Sequence, residues 1–504
     1  MRRAAALGQR PAARARGSMD AVTRSARAAA LLAGFCVFSV SPGWFLAKSS
    51  ADATPAVATA PPGPRSEVLD RSQAIADLLD WRRRVLDVHP NPFLRTDAST
   101  FDRALRNVVA RLPGTLTVDE FFVEVAGLAA LLQDSHTSVA APHDGAAKAQ
   151  LPLVVEAETL CFSAAVATVP AGACVEEIAG LTSSEMLFRC RRLVSAETRA
   201  GRDRLVPGRV AFVAAAHGHT ASIPLVVRLP SGEQQRVVIS PTAIEPTPQA
   251  ALDVERIADR ILMVRQRTML VADPADFERA FAGIFGALAE RDVRGLVIDF
   301  RDNDGGDTRV GGLLLSYLTE RRHRLIARKE WKVSRLMQRF VRDESTGFDG
   351  YLRAPLGAVL RTEVPLARPQ SQANRFTGPV VFLIGPGTLS AAMMTVDAVR
   401  EYRLALVVGE PTSSPPNYFG ETYRYSLPHS GLQATISTAA FVRASGDESD
   451  TTTVLPDVRV DDRLEDRLAG RDLAVQSAVR MIDHLHDHLH EQSETALNAA
   501  ELLR

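Results

Sequence analysis

Apolar positions along the chain change their spacing twice, and each change marks a new kind of element. From about residue 68 to 133 they recur near a 3.6-residue period. In SQAIADLLDWRRRVLDV the residues Ile75, Leu78, Leu79, Val85 and Leu86 fall on one helical stripe, and TVDEFFVEVAGLAALLQD opens with Thr117 three residues before Glu120, the spacing of a capping box. From about 150 to 245 the pattern shortens. LPLVVEA, RVAFVAAA, SIPLVVRLP and QQRVVIS read as strands with Gly/Pro turns between them. From about 250 strands and helices alternate. RILMVRQ, RGLVIDF, GPVVFLIG and LALVVGE are short and almost wholly apolar, while DFERAFAGIFGALAERD and GGLLLSYLTE are helical. Continuous β-branched runs between amphipathic helices predict an α/β fold with a parallel sheet covered on both faces. In such sheets the loops at the carboxyl ends of the strands carry the site. Three loops qualify: RDNDGGDTR, GPGTLSAAM and GEPTSSPPNYFGE.

The ends of the chain set an expected compartment. Arg2, Arg3, Arg10, Arg14, Arg16, Arg24 and Arg27 lead into the apolar run AAALLAGFCVFSVSPGWFLA and then the small residues of KSSADA. A basic segment, an apolar segment and a small-residue site together predict an export signal, with Met19 as an alternative start. The uninterrupted apolar run is shorter than the roughly 20 residues of a spanning helix, so no membrane span is expected after cleavage. A periplasmic or extracellular protein follows. The expected division is a signal region at 1–53, a Pro/Ala linker at 54–67, a helical domain at 68–145, a β-rich module at 146–248, a catalytic core at 249–470 and a C-terminal helix at 471–504.

Charge excludes one class of partner. The chain balances 59 basic against 59 acidic residues, and removing residues 1–53 leaves 51 against 57. A mildly acidic chain without a basic stripe is not a nucleic-acid binder. Beyond the leader the cysteines are Cys161, Cys174 and Cys190, of which Cys161 and Cys174 flank an expected hairpin and are the best candidates for a disulfide. Spacing alone does not fix the pairing. Oligomeric state has no signature in the sequence.

The loop RDNDGGDTR follows a strand, yet the G-x-G-x-x-G spacing of a dinucleotide site is absent. Adjacent glycines have another use: Gly305 and Gly306 leave backbone N–H groups accessible that can stabilise an oxyanion, with Asp299, Arg301 and Asn303 bracing the turn. A tight strand-to-helix connection is the plainer alternative. Ser390 follows the next buried strand and begins the small-residue helix SAAMMTVDAV, which aims the Ala391 N–H at a bound carbonyl. Alone, such a serine reads as a helix cap. Two glycine-rich turns on neighbouring strands, one offering donors and one a hydroxyl, favour a nucleophile.

Three stretches carry a resemblance to the S41 peptidases, which include the tail-specific and carboxy-terminal processing proteases and the tricorn core. LVIDFRDNDGG resembles the family's strand and glycine turn. VVFLIGPGTLSAAMMTVDAVREYRLALVVGEPT resembles its nucleophile strand, serine, helix and Gly-Glu-x-Thr strand, and TVLPDVRV its closing Pro-Asp strand. The similarity spans roughly 250–470, and HPNPF and LLQDSHTSV extend it to the helical domain of one subgroup. It implies a crotonase-like core, Ser390 as nucleophile and a peptide or protein substrate. PAGACVEEIAGLTSSEML loosely resembles the family's PDZ insert, with Ala179 in place of an asparagine.

In the carboxy-terminal processing branch a lysine after Gly-Glu-x-Thr serves as base; here Pro415 stands at that spacing, and the only lysines are Lys48, Lys148, Lys329 and Lys332. Histidine is the natural substitute. Among eleven, His136 in LLQDSHTSV is favoured, because Asp134, Ser135 and Thr137 beside it can fix an imidazole tautomer. His429 in SLPHSG is its main rival. His484 and His488 share a helix face at the spacing of a metal pair, but a solvated face is the simpler reading, and no metal or organic cofactor is expected. The tricorn branch pairs a Ser-His dipeptide with its nucleophile and an acid near the Pro-Asp strand. That resemblance implies Ser135 with His136, and Asp450 as the acid, with Glu448 as the alternative. The expected chemistry is acyl transfer, with His136 as base, Ser390 attacking, and the N–H groups of Gly306 (or Gly305) and Ala391 holding the oxyanion. Two other classes remain open: a catalytically inactive binding protein for peptides or lipophilic ligands, suggested by the missing lysine, and an acyl-CoA enzyme, disfavoured by export.

Overall fold

A computed structural model of the chain describes residues 68–141, 151–240, 250–271, 273–344 and 349–502. The expected signal and linker lie outside these residues. So do the expected domain junctions near 145 and 248.

The central sheet runs in the order Leu252–Ala258, Ile261–Gln266, Gly295–Asp299, Val380–Ile384, Leu406–Gly409 and Val458–Arg459. Its first two strands are antiparallel and the others parallel. Strand side chains alternate between faces, so a run apolar at every position must be covered twice. On one face Leu296, Ile298, Phe382, Ile384 and Val407 pack with Phe281, Leu314 and Val396 of the helices Pro274–Ala289, Thr308–Ser316 and Ala391–Glu401. On the other, Val297, Val381, Leu383 and Val408 meet Ala474, Ala478 and Ile482 of the final helix, Leu473–Leu502. The fold is mixed α/β, as the sequence pattern predicts.

A second, antiparallel sheet lies beside it, ordered Val359–Glu363, Arg328–Lys332, Gln433–Val442 and Tyr418–Ser426. The short strand Ser138–Val139 joins Gln433–Val442 and so ties the helical region to the core. That region comprises Arg71–Val88, Ala98–Arg111 and Val118–Leu131. The capping box at Thr117 and Glu120 forms as expected, and Asp70 with Gln73 makes another.

Residues 151–240 build a third sheet ordered Leu153–Glu156, Thr159–Phe162, Cys174–Ile178, Ile223–Arg228 and Gln234–Ile239. Cys161 and Cys174 face each other across the second and third strands and form a disulfide, while Cys190 is free and buried. One expected strand is a helix. RVAFVAAA lies in Pro207–Ala216, where Pro207 opens the first turn and Val210–Ala214 are all buried. A short run that is apolar on every side carries no period to tell strand from helix, and a proline that lacks an N–H suits a helix start. This region and the helical one share one continuous apolar cluster, in which Phe122 meets Phe212 edge-on at 4.8 Å. Among the described residues no helix is long and apolar enough to cross a membrane.

Candidate active site

Ser390 ends the loop that leaves Val380–Ile384 and precedes the helix Ala391–Glu401. Its backbone is held at φ 54°, ψ −125°, and its hydroxyl makes no capping bond to the helix. A non-glycine residue with positive φ costs about 1–3 kcal/mol and persists only where its surroundings over-determine it. The helix-cap alternative is thereby set aside. Here the surroundings are the glycine loop of the adjacent strand. The Leu389 N–H donates to the Asn303 carbonyl, and the Thr388 hydroxyl donates to the Phe300 carbonyl at 2.8 Å.

That glycine loop is braced by the residues expected to brace it. The Asp299 carboxylate accepts from the backbone and guanidinium of Arg301, and Arg301 also reaches Asp472 at the start of the final helix. Burial pushes the Asp299 carboxyl up, but these bonds outweigh it and hold its pKa below the ordinary value. Asn303 donates to the Gln266 carbonyl at 2.8 Å and accepts the Gly305 N–H at 2.9 Å. The last bond decides between the two glycines: Gly305 N–H is engaged, whereas those of Gly306 and Ala391 meet no acceptor among the described residues. Gly305 has another duty. At φ +90° a Cβ there would lie 2.7 Å from Ser390 Cβ and 2.6 Å from the Leu389 carbonyl oxygen, so only glycine lets the two loops touch.

His136 reaches the same place from the other side. It lies in the turn between Val118–Leu131 and Ser138–Val139, on a loop locked by buried polar groups. The Asp134 carboxylate accepts the His136 N–H at 3.0 Å, the Ser437 hydroxyl at 2.6 Å and a bond from His89 Nε2 at 3.0 Å. Because His89 Nδ1 accepts from the Asn91 N–H, the His89 proton lies on Nε2. Burial raises the Asp134 pKa, but His89 and Ser437 reverse this and hold it at about 2. For His136 the largest effect is also burial, which lowers its pKa against the pull of Asp134. The imidazole is therefore neutral near pH 7, as a base must be.

Tyr418 stands between the two. Its hydroxyl lies 3.4 Å from Ser390 Oγ, and its ring is 5.5 Å, centroid to centroid, from that of His136. Burial raises its pKa, so it remains a phenol. Ser390 and His136 are both against Tyr418 and are not hydrogen-bonded to each other in this structure. The two must come within hydrogen-bond reach for a proton to pass, and catalytic hydrogen bonds are often long or poorly aligned before substrate binds.

The expected acid is elsewhere. The Asp450 carboxylate pairs with Arg443 and accepts from Thr452 at 2.6 Å, while Arg443 also holds the buried Asp397. Glu448 pairs with Arg328. Neither serves Ser135, whose hydroxyl lies 3.2 Å from His136 Nδ1 and donates to Glu197 Oε1 at 3.1 Å. A carboxylate already committed to a guanidinium is a poor partner for a distant hydroxyl, and motif spacing does not reveal that commitment. His429 is exposed at a hairpin tip, where its N–H donates to Asp77. His484 is exposed on the final helix, and the side chain of His488 lies outside the described residues. The loop GEPTSSPPNYFGE supplies no base, but the Ser413 carbonyl accepts the Thr198 hydroxyl at 2.6 Å and anchors the insert over the site.

Two residues were invisible in advance. Tyr418 lay inside a candidate loop, marked only as one of its two aromatics, beside Phe419. Glu197 lies in LVSAETRAG, with no motif near it; its one signal is a carboxylate directly after a buried stretch, Leu193–Ala196.

A serine on a strained strand-to-helix turn, its hydroxyl beside unengaged N–H groups, is the arrangement of a serine-type peptidase. Within that class, residues 260–460 match the model of peptidase family S41, the family that the resemblance implied. No curated protein matches the sequence. Among solved structures, mature CPAF complexed with lactacystin is 15% identical with a TM-score of 0.58, over 84% of this chain and 98% of that one. Another structure of mature CPAF is 15% identical with a TM-score of 0.57, over 82% and 96%. At that identity the likeness is one of fold.

Proposed function

We propose that the protein is an exported serine peptidase that cleaves peptide bonds through an acyl-enzyme on Ser390, with His136 as general base. The observation that carries this reading is the backbone of Ser390, held at positive φ with its hydroxyl uncapped and pressed against the Gly305 turn. His136 Nε2 takes the Ser390 proton while Oγ bonds to the carbonyl carbon of the scissile peptide. The carbonyl oxygen takes up the charge and is held by the N–H groups of Gly306 and Ala391. His136 returns the proton to the leaving amine, and water releases the acyl group by the same steps in reverse order of roles.

The core is read as crotonase-like and residues 151–240 as a PDZ-like insert; the parallel sheet with its antiparallel neighbour supports the first, and the compact sheet with a free edge strand at Leu153–Glu156 the second. Export is supported by the arginine-rich leader and the apolar segment behind it.

One experiment addresses both parts. Protein recovered from the extracytoplasmic fraction of expressing cells is expected to have lost its first fifty or so residues and to label with a fluorophosphonate, and Ser390→Ala is expected to abolish the label. Labelling that survives Ser390→Ala would remove the nucleophile from this reading. An intact N-terminus on a cytoplasmic protein would remove export.

A further inference from the structure

Ser135 Oγ contacts two groups that matter to the reaction, His136 Nδ1 on one side and Glu197 on the other. Glu197 Oε1 accepts from both the hydroxyl and the N–H of Ser135, each at 3.1 Å. Its other oxygen, Oε2, is shut off from solvent and has no hydrogen-bond partner. Carboxylate oxygens are seldom left in that state unless the group has a task, because the desolvation goes uncompensated. The segment that carries it is fastened around the base. Ser195 Oγ donates to the Asp134 carbonyl at 2.7 Å and accepts the Asp134 N–H at 3.1 Å.

We propose that Glu197, supplied by the insert rather than by the peptidase core, is the carboxylate that orients His136 through Ser135. The assignment rests on the Ser390 and His136 reading above. For His136 Nε2 to accept a proton, Nδ1 must carry one. Nδ1–H then donates to Ser135 Oγ, whose own hydrogen donates to Glu197 Oε1. When the Ser390 O–H bond breaks and its proton moves to Nε2, the imidazolium charge is stabilised along this chain. No proton passes to Glu197, and it remains a positioning residue.

The arrangement makes activity depend on pH in a definite direction. Burial, reinforced by the nearby charge of Asp134, pushes the Glu197 pKa up to about 7 against the pull of Arg95 and the Ser135 N–H. Charged or titratable groups act on it from the neighbouring segments: Asp134 from the turn before Ser138–Val139, Arg95 from the loop after Arg71–Val88, and Tyr418 from the second sheet, while Asp134 and Arg424 act on the His136 imidazole. His89 bonds to Asp134. Protonated, Glu197 loses the charge that favours the imidazolium; ionised, it restores it. Since the His136 pKa is lowered by burial, a rise in activity near pH 7 is expected from ionisation of Glu197. The same raised pKa means that the folded state loses stability as pH climbs from the ordinary carboxylate value to about 7, because the unfolded chain releases the proton over that range while the buried group keeps it.

The test is the labelling rate of the full chain with a fluorophosphonate as a function of pH and probe concentration. Glu197→Gln is expected to lower the maximal rate at pH 8 by about 10²–10³-fold, less than the ~10⁴ lost when a directly bonded acid is replaced. Half-saturating probe concentration should change less than threefold, and the rise near pH 7 should disappear. Glu197→Asp should recover part of the rate. The melting temperature of Glu197→Gln at pH 8 should equal or exceed that of the parent, which separates the effect from misfolding. A Glu197→Gln protein with the parental rate and pH profile overturns the proposal. So does a loss of rate with the pH-dependent rise intact and no recovery in Glu197→Asp, which is the pattern of a structural role. If His136→Ala labels at the parental rate, the Ser-His reading itself has failed, whatever Glu197 does.

Discussion

The two halves of the site are held by different physics. Ser390, Gly306 and Ala391 come from loops on adjacent parallel strands. Their positions are set by hydrogen bonds between the two loops and by a glycine that lets them touch. His136, Ser135 and Glu197 come from two other layers, and what holds them is a buried polar cluster around Asp134 and Ser195. The first half is a property of one sheet. The second exists only when the helical region and the insert are packed together, so assembly of those layers and assembly of the proposed base are the same event.

Substitutions can separate the halves. Gly305→Ala should have the largest effect on the core half: its Cβ would press on Ser390 Cβ and the Leu389 carbonyl at 2.7 and 2.6 Å. The displaced turn should lower the labelling rate by about 10²–10³-fold, the cost of a lost oxyanion donor. A folded Gly305→Ala protein labelling at the parental rate would show that the two loops need not touch.

Asp134→Asn probes the layered half. Its carboxylate accepts three bonds, and an amide cannot accept from both His89 and Ser437 on the side where its NH2 points. A loss of about 2–3 kcal/mol in urea unfolding at pH 7 is expected, the range for hydrogen bonds to a charged group. The sign with pH is set by an Asp134 pKa held at about 2: the stabilisation is present above the ordinary carboxylate value and is lost as pH falls toward 2. Asp134→Asn and parent should therefore converge in acid. Equal stabilities at pH 7 would mean that the loop is held by Ser195 and Thr137 alone.

Tyr418→Phe should have the smallest effect. Its hydroxyl competes with His136 for Ser390 Oγ through a single long bond of 3.4 Å. Removing it should raise the labelling rate two- to tenfold, matching the ~0.5–1.5 kcal/mol of one neutral hydrogen bond. A fall in rate would instead make the phenol a donor to the developing oxyanion.

Legibility divided along the same line. The parallel strands Ile261–Gln266, Gly295–Asp299, Val380–Ile384 and Leu406–Gly409, the glycine turn and the serine turn could be read from local pattern, because each is a short segment whose apolar run or glycine content has one structural outcome. RVAFVAAA was misread because an all-apolar run contains no period. The antiparallel sheet was largely missed, since its strands, such as Tyr418–Ser426, mix polar and aromatic residues. Asp450 had the right chemistry at a plausible spacing, but Arg443 holds it.

The sequence by itself determined the α/β core, the serine at the end of a buried strand, the histidine flanked by hydroxyls and the absence of a lysine that could act as base after the Gly-Glu-Pro-Thr strand. These follow from composition and period over a few residues. Tertiary structure alone decided which glycine N–H remains unengaged, that Tyr418 lies against both Ser390 and His136, and that Ser135 bonds to Glu197. Those facts depend on which buried groups satisfy one another across 60 to 300 residues of chain, and a hydrogen bond between distant segments leaves no spacing in the sequence to read.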